Sequence, residues 1–257
     1  MEHSGLVLGL AGLAVGLLVG LSGVGGGTLM TPLLLSLGFP PVDAVGTDLV
    51  YAAITKASGA YLHSRRHNVA WPLVGWLLLG SLPASILTLV VWQRLGVPHA
   101  VQATTVKVLL GLVLIGTGAL VLLRLSLHKP VIDSPSEPTQ PPRKVLTILL
   151  GAFLGVLVTL TSAGAGAVGA AALSLLFPRL SASKIIGSDL AHAFPLTLTA
   201  GLAQLATGHV DLWAVLWLSL GSIPALAVGS WLAPKVPDQI LKPVMGTGLA
   251  LLGLTLV

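Results

Sequence analysis

Apolar residues along this chain fall in long, nearly unbroken runs separated by short polar gaps. The runs cover 5–22, 28–38, 42–63, 69–93, 105–126, 145–162, 170–177, 184–206, 210–232 and 243–257. A helix needs roughly 20 apolar residues to cross a hydrocarbon core, so the pattern predicts an all-α polytopic membrane protein. Runs 28–38 and 170–177 are too short to cross alone at about 1.5 Å per residue. Each follows a glycine-rich interruption, Gly23-Val24-Gly25-Gly26-Gly27 in the first case and Gly164, Gly166 and Gly169 in the second. These broken pairs predict helical hairpins that dip into the membrane, or discontinuous helices, with glycines at the tip. Non-helical backbone survives at that depth only where it lines a protein-enclosed cavity.

Composition supports the membrane reading. Of 257 residues, 54% are hydrophobic and 8% charged, against about 25% charged in soluble domains. The net charge of +5 points to no nucleic-acid partner, because the basic residues sit in gaps between apolar runs. Absence of cysteine excludes disulfides, thiolate metal sites and thiol chemistry. Residues 128–144 hold Pro130, Pro135, Pro138, Pro141 and Pro142 among serines and charges, and read as an extended, Pro-rich cytoplasmic linker. The N-terminus opens with Glu2 and His3 rather than a basic segment, unlike a signal peptide.

The two sides of that linker are similar. Gly46-Thr47-Asp48-Leu49 matches Gly187-Ser188-Asp189-Leu190, and Trp76–Pro83 matches Trp217–Pro224 at the same offset of 141. Lys107, Gly111 and Gly118 line up with Lys242, Gly246 and Gly253 after a short deletion, and Ser22 with Ser162. The expectation is a duplication: residues 1–127 as a first membrane repeat, 145–257 as a second.

Basic residues decide the orientation, since cytoplasmic loops are rich in Lys and Arg. With five segments per half and the N-terminus outside, Arg65, Arg66, Arg124, Lys129, Arg143, Lys144, Arg179, Lys184, Lys235 and Lys242 fall inside, and only Arg94 outside. Four segments per half would leave six inside against five outside. Five segments therefore fit better, and an odd number makes the second half inverted. The expected architecture is two inverted repeats in the cell inner (plasma) membrane, each a glycine-broken hairpin plus three transmembrane helices, with both termini outside.

Several residues carry candidate chemistry. A short helix starting near Gly25–Thr28 points free N–H groups and a positive dipole end into the protein, and glycine lets a ligand approach the backbone. That makes an anion site from Ser22, Gly23, Gly25, Gly26, Gly27 and Thr28, matched from the opposite direction by Thr161, Ser162, Gly164 and Gly166. The alternative is glycine packing between helices. Neither cluster has the Gly-Lys-Ser/Thr of a nucleotide loop, and no cofactor is implied. Lys56 lies well inside its run, as an anion holder or as a lysine snorkelling about 10 Å to the headgroups. Asp48 and Asp189 are matched intramembrane acids beside Thr47 and Ser188. Asp189 has His192 three residues on, and Asp48 has Tyr51. These read as coupling or gating groups for protons, or as caps near a helix N-terminus. Trp71, Trp92, Trp213 and Trp231 read as interfacial anchors, and His63, His67 and His209 as solvated loop-edge residues.

The run Gly20-Leu21-Ser22-Gly23-Val24-Gly25-Gly26-Gly27, then Pro32-Leu33-Leu34, Gly38 and Ala44-Val45-Gly46-Thr47, with its echo in the second half, resembles the sulfite exporter TauE/SafE family of membrane transporters. The resemblance implies export of small sulfur-containing anions such as sulfite or an organosulfonate. The functional expectation is a secondary transporter in the lipid bilayer, exporting a small inorganic or organic anion by alternating access, with or without proton coupling. An anion channel is the first alternative. An intramembrane hydrolase using Asp48 and Asp189 is the least favoured, because the expected topology separates the two acids by about 14 Å in depth, too far for a shared-proton dyad.

Overall fold

The computed structural model describes residues 4–22, 27–96, 98–126, 143–164, 166–232 and 238–256. They form ten helices: α1 (Gly5–Ser22), α2 (Gly27–Ser36), α3 (Pro41–Arg65), α4 (Trp71–Arg94), α5 (His99–Ser126), α6 (Lys144–Thr161), α7 (Ala167–Leu176), α8 (Ala182–Ala206), α9 (Leu212–Leu232) and α10 (Asp238–Leu256). No strand is present among the described residues. Every apolar run is a helix, and most ends agree within two or three residues. The exceptions are α5 and α10, which begin six and five residues before their runs. Their first turns carry polar residues, which a helix end in water or headgroups tolerates. Linker residues 128–142 lie outside the described residues, as do Gly23, Gly25 and Gly26.

Among the described residues, four segments are long and apolar enough to cross a membrane: Trp71–Arg94, Ala100–Leu122, Lys144–Thr161 and Leu212–Leu232. Their outward faces carry large apolar side chains such as Leu79, Leu87, Leu149, Phe153, Leu216 and Leu220. A soluble protein would hide these; in a bilayer they meet hydrocarbon. The long helices α3 and α8 are missing from that set, because they carry the intramembrane charges. They pair with each other at the centre, and their polar residues Thr47, Asp48, Lys56, Ser188, Asp189 and His192 are all buried. The least apolar helices are thus the innermost, shielded from lipid by the most apolar ones.

The principal helix pairs are α1 with α9, α6 with α4, α3 with α8 and α5 with α10. Glycines set their closeness. A Cβ on Gly16 would stand 2.6 Å from the Ser222 Cα, and one on Gly155 would stand 2.8 Å from the Ser81 Cα. Gly12 meets the Leu218 carbonyl as Gly151 meets that of Leu77. Within these pairs, residues of α4 and α9 that are 141 apart occupy matching places. These helix-borne glycines let membrane helices approach closely, as small residues do.

The same contacts give direction. Along α1, residues 12, 16 and 20 meet 218, 222 and 226 in the same order, so α1 and α9 run parallel. Gly151 and Gly155 meet Leu77 and Ser81, so α6 and α4 also run parallel. Gly59 meets Leu190 and Gly201 meets Val50, so α3 and α8 run antiparallel. Gly118 meets the Gly246 carbonyl and Gly253 that of Gly111, so α5 and α10 are antiparallel as well.

Two hydroxyls tie loops onto the central pair. The Asp211 N–H donates to Thr47 Oγ1 at 3.0 Å, and the Ala70 N–H donates to Ser188 Oγ at 2.9 Å. Gly46 and Gly187 beside them press on the carbonyls of His209 and Asn68. His209 is more than a solvated loop residue: its Nδ1 lies 2.8 Å from Asp43 Oδ1, in a half-exposed pair at the start of α3. Trp71, Trp213 and Trp231 are largely exposed, as anchors should be.

Candidate anion-binding site

The buried charges of α3 and α8 come together in the middle of the bundle. Lys56 is 2% exposed, and its Nζ has no hydrogen-bond partner among the described residues. It does not reach the bundle surface, so the snorkelling alternative does not describe it. It lies in the electrostatic field of both Asp48 and Asp189, and His192 in turn feels Lys56. In the antiparallel register of α3 and α8, Asp189 stands level with about residue 60 of α3. The two acids are therefore separated by about 18 Å along the pair at 1.5 Å per residue. Lys56 falls between those levels, and a shared-proton acid dyad is ruled out by geometry.

Each carboxylate turns to the N-terminal part of a short helix rather than to its own helix end. Thr31 of α2 donates its hydroxyl to Asp48 Oδ2. Asp189 accepts from the Gly166 N–H at the start of α7, and its Oδ1 packs on Gly169, where only a glycine leaves room. Neither acid caps its own helix, which was the capping alternative. α8 is capped by Ser181, whose hydroxyl accepts from the Lys184 N–H, and α3 begins at Pro40-Pro41 without a side-chain cap. The acids serve α2 and α7, the ends proposed as anion sites. A carboxylate at a helix N-terminus is itself the anion that such an end favours.

The second glycine-rich loop joins this centre. α6 ends at Ser162 in a left-handed conformation (φ 56°), and Gly164 and Gly166 follow at φ 110° and 125°. Those φ values fit glycine readily and few other residues. Ser162 faces Asp48, while Thr161 bonds to the Leu157 carbonyl and across the turn to Ala163. Of the expected site residues, Gly27 opens α2 and Thr28 is buried in its first turn. Ser22 closes α1.

Asp189 and His192 share a helix but not a partner. His192 Nε2 meets Ser81 of α4 at 2.9 Å, while its Nδ1 has none among the described residues. Tyr51, at the corresponding place on α3, is next to Ser222 of α9. Sequence reasoning missed Thr31, Ser81 and Ser222 as members of this centre. The signal was available for the serines, which sit in the repeated motifs Trp76–Pro83 and Trp217–Pro224.

Comparison with known proteins decides the family, because residues 8–256 match the description "Sulfite exporter TauE/SafE". The chain belongs to the sulfite exporter TauE/SafE family. It is 40% identical over 251 residues to a Bacillus subtilis protein described as probable membrane transporter protein YjnA, covering 96% of this chain and 98% of that one. It is 25% identical over 250 residues to the probable membrane transporter protein YdhB of the same organism, covering 95% and 96%. No solved structure matches. As a TauE/SafE membrane transporter, the chain places its intramembrane charges on its two central helices, inside a shell of apolar ones.

Proposed function

We propose that this transporter exports a small anion, sulfite or an organosulfonate, by alternating access around Lys56. One observation carries the proposal: an ammonium buried at mid-bundle, without a hydrogen-bond partner among the described residues, between two carboxylates that hold the N-terminal turns of short broken helices. A buried ammonium whose N–H donors go unsatisfied is expensive, and a bound anion would accept from them. Broken helices are where secondary transporters build their substrate sites.

The halves 1–127 and 145–257 act as inverted repeats in this reading. Support comes from the pairing itself, since each half gives its first helix to the fourth helix of the other. Corresponding helices α3 and α8, and likewise α5 and α10, run antiparallel. An axis relating antiparallel helices is perpendicular to them and so lies in the membrane plane. Both termini then face outside and the linker faces the cytoplasm.

Charge balance favours proton coupling. With both acids ionised, the cluster of Lys56, Asp48 and Asp189 already carries one net negative charge, and a monoanion would double it in a buried site. Protonation of an acid as the anion binds removes that penalty. Without coupling, outward flux of an anion gains about 2.3 kcal/mol per charge per 100 mV of inside-negative potential. With one proton per monovalent anion that gain vanishes.

The test is flux in proteoliposomes with sulfite, sulfoacetate, taurine, acetate and sulfate, with imposed pH gradients and imposed potentials. Saturable sulfite or sulfoacetate flux, lost in Lys56→Met, is the expected result. Flux that Lys56→Met leaves intact would overturn the site, and no flux of any anion would overturn the substrate class.

A further inference from the structure

The two ends of the bundle are unlike. Where α3 begins and α4, α6 and α8 finish, a small crevice, partly open to the surroundings, lies among these helices and α5. Its polar lining is Thr88 of α4, Thr159 of α6 and Gln204 of α8, set among apolar residues such as Val45 and Val106. From this crevice hydroxyls continue inward along α4 at one-turn spacing: Thr88, Ser85, Ser81. Ser85 and Thr159 share a 2.7 Å hydrogen bond and are buried. Ser81, also buried, meets His192, which lies in the field of Lys56. Polar groups thus run from the crevice to the buried charges.

The corresponding positions at the opposite end carry different residues. At the shared offset of 141, Gly229 stands for Thr88, Leu226 for Ser85 and His63 for Gln204, and only Ser222 repeats Ser81; in the packing register, where Gly16 meets Ser222 as Gly155 meets Ser81, Gly20 stands for Thr159. There α1 and α9 touch backbone to backbone: a Cβ on Gly20 would lie 2.9 Å from the Gly229 Cα, and one on Gly229 3.0 Å from the Gly20 Cα. Two threonines and a serine have become two glycines and a leucine. α1 and α9 meet through glycine backbone where α4 and α6 are bridged by a hydrogen bond between side chains, and this difference is written in the sequence.

We propose that a hydrated small anion reaches Lys56 along the hydroxyl ladder Thr88–Ser85–Ser81, from this end alone in the conformation described, with Thr88, Thr159 and Gln204 as its first polar contacts. The nature of the cargo rests on the anion-transporter reading; the one-ended path rests on geometry alone. Hydroxyls suit this task because each both donates and accepts, stripping part of a hydration shell without a charge that would trap the ion.

The chain has no cysteine, so single reporters have no background. Thr88→Cys, Ser85→Cys and Leu226→Cys would be exposed to a cationic, membrane-impermeant methanethiosulfonate, in intact cells and in inside-out vesicles. The expected result is modification of Thr88→Cys and Ser85→Cys at least tenfold faster from one side than from the other, and tenfold faster than Leu226→Cys from either. Sulfoacetate should slow the reaction at Ser85→Cys. Equal rates from both sides, a Leu226→Cys rate matching Ser85→Cys, or an unreactive Ser85→Cys in protein that still melts cooperatively would overturn the path. One-sided labelling that no anion in the flux panel slows would sustain the path and overturn the anion reading.

Discussion

Thr47 was a candidate for gating, and the structure gives it a bond that can be tested on its own. Its hydroxyl accepts the Asp211 N–H, while Ser188 accepts that of Ala70. Thr47→Val keeps the shape and removes the acceptor, and Ser188→Ala does the same at the other tie. Each hydroxyl is fully buried, so each change strands a part-buried N–H. Such a loss costs about 1–2 kcal/mol. For a chain of this size about 1 kcal/mol moves Tm by roughly 2–4 °C, so each variant should melt about 2–8 °C lower. In the α3–α8 register the ties lie about 21 Å apart. Distant sites add to within about 0.5 kcal/mol, so the double variant should lose the sum. The assay is thermal melting in one fixed detergent, beside the anion concentration for half-maximal flux. Ties that only join loops to helices leave that concentration unchanged. An unaltered Tm with a large loss of transport would refute the reasoning and return Thr47 to the gate.

Other expectations follow from the same packing. Gly155→Ala should destabilise by about 1–3 kcal/mol, because its Cβ meets the Ser81 backbone at 2.8–3.0 Å; Gly75→Ala, with nothing within 4 Å, should not destabilise, and equal melting of the two would sink the close-approach argument. Cysteines at Ser136 and Val257 should label from opposite faces of the membrane, and same-side labelling would remove the inverted arrangement. Asp43→Asn should cost under about 1 kcal/mol, since its pair with His209 is over 30% exposed on both sides; a larger loss of Tm would give that loop a role beyond an exposed ion pair.

Helix positions were legible because hydrocarbon demands long apolar runs, and polar interruptions stand out against them. Lys56, Asp48 and Asp189 were legible for the same reason: a charge inside such a run is conspicuous. Their partners were not. Most hydroxyls in these helices bond the carbonyl one turn back, as those of Thr88, Thr104, Thr105 and Thr199 do. Nothing in sequence separates them from Thr31 or Ser85, which reach across to other helices, and only its place in the repeated motif marks Ser81. The aspartates were read against their own helix ends, since local spacing is all a sequence displays. Their true counterparts on α2 and α7 depend on how distant segments fold together. The pairing of α1 with α9 was hidden likewise, because its contacts join residues about 200 positions apart.

That last pairing has a consequence for how the chain is made. The glycine face of α1 fits α9, yet about 190 residues separate the end of α1 from the start of α9. At roughly 5–20 residues per second of synthesis, α1 waits about 10–40 s in the membrane for its partner to emerge. Meanwhile the small-residue face that will touch α9 is open to any neighbour. α4 has a far shorter delay before α6 appears. Assembly should therefore begin around α4 and α6 and finish when α9 slides against the helix made first, and a ribosome stalled in the second half would leave the oldest segment unclaimed.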